Sequence, residues 1–483
     1  MNYKVIIWLL AWILKIEGFL MLMPCIISII YREKLGIIYL LLALIAIMAG
    51  RLVSRKKPKD MQIYQLEGYV TVGLGWVLIS LYGAIPFVLS GEIPFYIDAV
   101  FETASGFTTT GSSILTDVEA LSRPSLFWRS FTHWVGGMGV LVFILMLIPS
   151  AGGSHMNLMK AESPGYQVSK FVPKVKNNAR TLYRIYLVMT VLTILALLLS
   201  GMPWFDSLCL AFGAAGTGGF GILNSSCADH TALQQCILTI AMIAFGVNFN
   251  FYYLMLIHHS RDALKMEEVR AYITIILASG LLITLNIHRA MPELYASWGS
   301  ALRHAFFQVG TIITTTGFSS TDFDLWPSFS KFILFMLMIC GACAGSTGGG
   351  VKVSRLLITV KAIRRELYSL VHPRAVKKVR MDGAPIESAV LRSIFIYLTA
   401  YFAIFGGSVL IISLNGFDFE TNMTAVAATL NNIGPGFAGV GPTCNFGGYA
   451  WWAKLVLTFN MLAGRLELMP MLIFFYLRTW RRG

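Results

Sequence analysis

The sequence predicts an all-α polytopic membrane protein. Four parallel repeats, each a helix, a re-entrant half-helix and a second helix, surround one axis, preceded by two extra N-terminal transmembrane helices. Three observations predict it. Long apolar segments recur along the chain, basic and non-basic loops alternate between them, and a threonine–glycine stretch returns four times.

The apolar segments come first. The chain has 483 residues, of which 56% are hydrophobic and only 13% charged, against about a quarter charged in an average soluble domain. A transmembrane helix needs about 20 apolar residues. Ser393–Phe417, Thr231–Ile257 and Phe332–Val351 carry no charge, and Ile185–Phe205 and Leu35–Gly50 are similar. Val5–Ile30 is too long for a signal peptide and lacks a small-residue cleavage site, so it reads as a retained helix. Lys15 and Glu17 interrupt it and read as an interfacial or bundle-facing pair.

The net charge of +14 is not spread evenly. Basic clusters lie at Arg51–Lys59, Lys160–Arg184, Arg261–Arg270 and Lys352–Arg392, and in the tail RTWRRG. Ser112–Ser125 has only Arg123, while Asn224–Thr231, Phe318–Ser330 and Pro435–Ala450 have neither lysine nor arginine. This alternation follows the positive-inside rule and puts the basic loops and the C-terminus in the cytoplasm. The bilayer then accounts for the charge, and no nucleic acid partner is needed. Seven cysteines, mostly in apolar segments, do not make a disulfide framework. The pair Cys340 and Cys343 lacks a second pair nearby and reads as small packing residues.

The repeat is carried by FTTTGSS (Phe107–Ser113) and its near copy ITTTGFSS (Ile313–Ser320). AAGTGGFG (Ala214–Gly221) and LNNIGPGFAG (Leu430–Gly439) are looser relatives. Aligned on Gly111, Gly218, Gly317 and Gly434, the copies lie 107, 99 and 117 residues apart. A long apolar segment and a dozen-residue short one precede each copy. A polar loop and another long apolar segment follow. The units divide the chain into residues 1–60 for the two extra helices, then 61–160, 161–265, 266–385 and 386–483.

Non-helical backbone survives at membrane depth only when buried in protein or lining a watery cavity. Four such stretches converging on one axis would present rings of carbonyls, which replace the hydration shell of a monovalent cation. Glycine tolerates the strained backbone this requires. If the half-helices aim their C-termini at the centre, each adds about half a negative charge there. The candidate ion-binding residues are Thr109, Thr110, Gly111, Thr217, Gly218, Thr316, Gly317, Ile433 and Gly434. Glu92, Asp98, Glu102, Asp117, Asp206, Asp229, Asp322, Asp324, Asp418 and Glu420 cluster in the outer segments, either concentrating cations at the mouth or serving as ordinary loop charges. Asp98 is also placed to cap its half-helix.

Further stretches carry a resemblance. FWRSFTHWVGGMGVLVF (Phe127–Phe143), AESPGYQVSKFVPKVKNNARTLYRIY (Ala161–Tyr186), CAGSTGGGVKVSR (Cys343–Arg355) and NMLAGRLE (Asn460–Glu467) occur in one order. Together they resemble the Trk/Ktr/HKT superfamily of potassium transporters, most closely its TrkH-type subunits. In that family a glutamine is more usual at the place of His133. The resemblance implies four repeats beginning near residues 66, 180, 268 and 388, and K⁺ as the transported ion, bound in the filter. It implies a homodimer with one pore per protomer in a prokaryotic inner membrane. A separate TrkA-like cytosolic ring of nucleotide-binding regulatory subunits would dock on it. The fourth copy, Asn432–Ile433–Gly434–Pro435, departs most from a threonine-rich filter.

Two elements stand out as a gate. Gly341–Lys352 contains five glycines between Gly341 and Gly350, and glycine and serine hold a helix poorly. In similar proteins the matching loop, here Gly345, Ser346, Thr347, Gly348, Gly349 and Gly350, lies under the filter and blocks the closed pore. Arg465 is an ionisable residue in an apolar segment, a functional site by default. Its family counterpart projects into the pore. Glu467, two residues on, sits on a different helix face and is a poor intrahelical partner.

All four short elements fall on the non-basic side. That separates a channel-like pore from an inverted-repeat carrier, although an H⁺- or Na⁺-coupled cation symporter remains the alternative. The scattered histidines and the lack of nucleotide fingerprints speak against an enzyme or an organic cofactor.

Overall fold

The computed structural model describes residues 1–59, 61, 63–139, 175–375, 377–476 and 479. The connection opening at Ala161 lies largely outside the described residues. So do the first-repeat segment beyond Gly139 and, apart from Thr479, the RTWRRG tail.

Helices α1 (Tyr3–Leu20) and α2 (Leu22–Tyr31) form one apolar span with a step at Met21, and α3 (Gly36–Val53) folds back along it. Small residues permit the close crossing. A methyl on Gly18 would lie 2.8 Å from the Ala43 carbonyl, and one on Gly50 2.6 Å from that of Ala11. Lys15 and Glu17 do not pair. Lys15 Nζ sits 4.0 Å from the Trp12 ring centre. Glu17 is buried, with no hydrogen-bond partner for either oxygen among the described residues.

Each repeat opens with a long apolar helix: α4 (Gln65–Gly83, prolonged by α5, Ile85–Leu89), α8 (Val175–Leu199), α13 (Glu267–Ala290) and α17 (Ser388–Ile412). With the two N-terminal spans they supply the six described helices long and apolar enough to cross a membrane. The half-helices follow: α6 (Tyr96–Phe107), α9 (Trp204–Gly216), α14 (Trp298–Ile313) and α18 (Phe419–Leu430). Their last six residues are all buried.

The second helices depart from expectation. Long apolar spans were expected, with an interruption only in the third repeat. Instead all four stop after 13 to 15 residues: α7 (Arg123–Gly137), α10 (Ala232–Phe245), α15 (Ser328–Cys340) and α19 (Trp451–Arg465). Beyond the second break, α11 (Phe249–Leu256) leaves at 88° to α10 and leads to α12 (Ser260–Lys265). Beyond the third comes α16 (Val353–Val371), and beyond the fourth a turn at Glu467–Leu468, with both φ positive, and then α20 (Met469–Leu472). In the first and fourth repeats the ends of these helices pack tightly against the half-helices. A side chain on Gly136 would overlap the Phe107 carbonyl that ends α6, and one on Gly464 would overlap the Leu430 carbonyl that ends α18.

The all-α expectation has one small exception. Strands β1 (Arg380–Met381) and β2 (Ala384–Pro385) pair antiparallel through an Asp382–Gly383 turn with both φ positive, as a two-residue hairpin demands. Asp382 accepts a hydrogen bond from the Glu267 amide and so docks the hairpin on the start of α13.

Candidate functional site

The four half-helices end alike. Within two residues past each helix the chain turns left-handed: Thr109 (φ 55°), Thr217 (54°), Thr315 (58°) and Asn432 (56°). The next amide then reaches back five residues: Thr110 to the Ser105 carbonyl (2.8 Å), Gly218 to Gly213 (2.8 Å), Thr316 to Thr311 (2.8 Å) and Ile433 to Ala428 (2.9 Å). This is the Schellman arrangement. It closes each helix and turns the following carbonyl out of the helix direction.

One residue further, Gly111, Gly219, Gly317 and Gly434 have φ of 79°, 80°, 92° and 107°. Each is packed against its neighbour in cyclic order. A methyl on Gly111 would overlap the Gly218 carbonyl, one on Gly219 that of Thr316, and one on Gly317 that of Ile433. On Gly434 it would lie 3.1 Å from the carbonyl of Thr110. The carbonyls of Thr110, Gly218, Thr316 and Ile433 thus form one closed ring about the axis. Side chains join the segments: Ser112 Oγ donates to the Gly434 carbonyl at 2.8 Å, and Asn432 Nδ2 to Thr110 Oγ1 at 2.9 Å.

The ring corrects one register. Gly218 does not correspond to Gly111, because Thr217 itself takes the left-handed position and the partner of Gly111 is Gly219. Gly218 instead corresponds to Thr110, Thr316 and Ile433. The left-handed positions of the third and fourth copies, Thr315 and Asn432, were not among the candidates. They were legible only through the helix ends.

Gly341–Lys352 leaves the helix at Gly341 (φ 72°) and runs directly beneath this ring. The Gly349 amide donates to Thr315 Oγ1 at 2.6 Å, and Thr347 Oγ1 to the Phe245 carbonyl at 3.3 Å. A methyl on Gly348 would lie 2.8 Å from the Thr314 carbonyl, and one on Gly349 would overlap that of Asn431. Thr347, Gly348 and Gly349 are buried, Ser346 and Gly350 half-buried, and Gly345 is exposed. Lys352 Nζ binds the Gly348 carbonyl, holding the loop's far limb. Arg465 joins the pieces. Its guanidinium donates to the Thr347 carbonyl at 2.8 Å, to those of Gly136 and Gly137 (2.9 Å for Gly137), and to Thr109 Oγ1 at 3.2 Å. Glu467 pairs with Arg355 on α16.

The outer carboxylates are mostly tied down. Glu102 is fully buried against Arg129 and takes the Ile114 amide at 3.0 Å, so it braces the first filter segment from behind and is no mouth charge. Asp98 lies within the first turn of α6 and pairs with Lys454 at 2.6 Å instead of capping the helix. Asp324 and Glu420 share Lys331, each at 2.7 Å. Asp418 caps α18, accepting from the Thr421 amide at 2.9 Å, and these bonds hold its carboxyl below the ordinary value. Asp117 accepts from Asn224 at 2.8 Å and is likewise lowered. Among the described residues no cluster of three His, Cys, Asp or Glu forms a metal site.

Sequence reasoning missed Glu268. It is buried at the start of α13, and its carboxylate accepts from the amides of Ala344 (2.6 Å) and Ser354 (3.1 Å) and from Asn248 Nδ2 (3.4 Å). One side chain clasps both limbs of the loop. Its place in a first helical turn gave no signal, since acidic residues are common there.

Four parallel re-entrant repeats around one carbonyl-lined axis define an integral membrane protein of the cation-transporter class. The family model for TrkH, a cation transport protein, matches residues 34–479. The Trk system potassium uptake protein TrkH of Salmonella typhimurium is 34% identical over 469 residues, 95% of this chain and 96% of that one. The Trk system potassium uptake protein TrkG of Escherichia coli is 30% identical, covering 98% of this chain and 97% of its own. The crystal structure of the potassium transporter TrkH from Vibrio parahaemolyticus superposes with a TM-score of 0.89 at 30% identity, over the full length of both chains. The chain belongs to the TrkH family.

Proposed function

We propose that this chain carries K⁺ into the cell through the ring formed by the carbonyls of Thr110, Gly218, Thr316 and Ile433. The closed four-carbonyl ring is the observation that carries the proposal. Carbonyl dipoles replace the water around a monovalent cation, and four helix C-termini add negative potential at the same point. The named activity of the relatives is potassium uptake.

Two elements below the ring act as its gate. The Gly345–Gly350 loop closes the path, and the Arg465 charge raises the energy of a cation beneath the filter. Flux requires the loop to withdraw from Thr315 and Asn431, and Arg465 to release the Thr347 carbonyl. The basic loops and C-terminus face the cytoplasm of a prokaryotic inner membrane, as the charge asymmetry supports. A homodimer served by a separate cytosolic ring of nucleotide-binding subunits fits the Trk system for which the relatives are named. K⁺ is cargo, and no organic cofactor enters the step.

The test is cation uptake into liposomes holding the purified chain alone, comparing K⁺, Rb⁺ and Na⁺ with and without an imposed voltage. Voltage-driven K⁺ and Rb⁺ flux above Na⁺ is expected. Flux that appears only with an H⁺ or Na⁺ gradient would instead make the protein a coupled symporter.

A further inference from the structure

The second filter segment is built differently from the others. At the ring position the first, third and fourth repeats carry Thr110, Thr316 and Ile433, all β-branched and buried. The threonines are braced through their hydroxyls. Thr110 Oγ1 meets Thr108 Oγ1 at 2.8 Å and Asn432 Nδ2 at 2.9 Å, and Thr316 Oγ1 meets Thr314 Oγ1 at 2.7 Å. Gly218 has no side chain to brace with. A methyl placed there would overlap the imidazole of His133, on α7 of the preceding repeat.

We infer that His133 is the positioning residue of the second filter segment, standing in for the missing side chain at Gly218, and that it thereby helps set cation selectivity. The inference rests on the filter proposed above. His133 is fully buried. Its Nδ1 lies 2.8 Å from the Gly106 carbonyl, and its Nε2 lies 3.2 Å from the Phe220 amide. A carbonyl only accepts and an amide N–H only donates, so Nδ1 carries the hydrogen and Nε2 presents its lone pair. The imidazole therefore links the last turn of α6, in the first repeat, to the backbone two residues beyond the Gly218 carbonyl, in the second.

The surroundings fix the ring on its other sides. The Phe220 ring centre lies 4.3 Å from that of His133, and the Arg129 guanidinium sits 4.0 Å from Phe220. Gly216 leaves room for the His133 carbonyl, which a side chain there would overlap. A flat ring with one donor and one acceptor at this separation meets both demands. An amide side chain of similar reach also offers one of each. Leucine offers neither.

The experiment measures the K⁺/Na⁺ permeability ratio from reversal potentials, with the purified full-length chain in liposomes. H133L is expected to lower the ratio by about threefold or more, while H133Q stays within about twofold of the parent, in keeping with coupling energies of contacting groups. G218A is read in two backgrounds: it lowers the ratio beside His133 and has a much smaller effect in H133A, where the methyl has room. An unchanged ratio in H133L, or an equal effect of G218A in both backgrounds, overturns the inference. Should H133L fail to reconstitute, the G218A pair decides alone. G111A separates the two levels. If it leaves the ratio untouched, the filter itself is misplaced. If it lowers the ratio while the His133 variants do not, only the role of His133 falls.

Discussion

The filter and the loop beneath it are both irregular backbone at membrane depth, yet they are held in opposite ways. Each filter segment is closed by its own helix: the reach-back bonds of Thr110, Gly218, Thr316 and Ile433 all run to carbonyls of the preceding half-helix. The loop from Gly341 to Lys352 is tied by backbone bonds along its limbs, the Cys343 amide to the Gly246 carbonyl at 3.1 Å and the Lys352 amide to the Cys340 carbonyl at 3.0 Å. Its centre rests on side chains from elsewhere: Thr315 on the Gly349 amide and Arg465 on the Thr347 carbonyl, with Glu268 on the Ala344 amide. Backbone caps are renewed wherever the helix forms. A handful of side-chain bonds can be exchanged without unfolding anything. The difference teaches that two irregular stretches sharing one wall can be secured by different means, one by its own helices and the other, at its centre, by exchangeable side-chain bonds.

The comparison breaks most sharply at the filter glycines. G317A forces a methyl into the Ile433 carbonyl, and overpacking of this kind costs 1–3 kcal/mol, so a loss of about tenfold in K⁺/Na⁺ selectivity is expected by reversal potential. A ratio that does not move would show the ring to be more pliable than its caps imply.

On the loop side, R465A removes the charge beneath the ring and the tie to Thr347. Voltage-driven K⁺ flux should rise by about fivefold, with selectivity kept, since unit charges near 4 Å interact by several kcal/mol even in a screened site. A fall in flux from well-folded protein would make Arg465 a structural brace. E268Q weakens one clasp only. Hydrogen bonds to a charged group contribute about 1.5–3 kcal/mol, and basal flux should rise less than in R465A. A flux equal to the parent would mean that the loop does not lean on this carboxylate.

The smallest effect is at a cap far from the loop. D418A removes the side-chain bonds to Thr421 and should lower stability by about 1 kcal/mol, read as a shift in thermal unfolding, with selectivity unchanged. Hydrogen bonds from Thr421 hold the folded carboxyl below its ordinary value. Its contribution is therefore complete above the ordinary carboxylate range and is lost as pH falls through the lowered folded value. Parent and D418A should converge in acid.

Much of the site was legible because local residue types already decide it. Thr109–Gly111 and Thr315–Gly317 sit in near-identical words, and only glycine suits φ near 79° and 92° against a neighbour's carbonyl. The second copy misled by one residue because GTGG offers two adjacent glycines. Which of them lies level with Gly111 depends on where α9 ends, and that helix runs to Gly216. The sequence pattern made Glu467 a poor intrahelical partner of Arg465 but did not point to Arg355, 112 residues away. Glu102 reads in the sequence as a mouth or loop charge because it falls with other acidic residues in the outer segments. Its burial against Arg129 depends on how α6 meets α7.

The sequence by itself determined the apolar first spans, the four-fold recurrence and three of the four positive-φ glycines, Gly111, Gly317 and Gly434. These follow from transfer of apolar residues into the bilayer and from steric limits on single residues. Only the tertiary structure decided the register of the second segment, the early ends of the four second helices, the clasp of Glu268 on the loop and the seat of His133 behind Gly218. Each of these depends on which carbonyl, amide or ring arrives from a distant part of the chain, and hydrogen bonds and steric overlap act only over the few ångströms that folding creates.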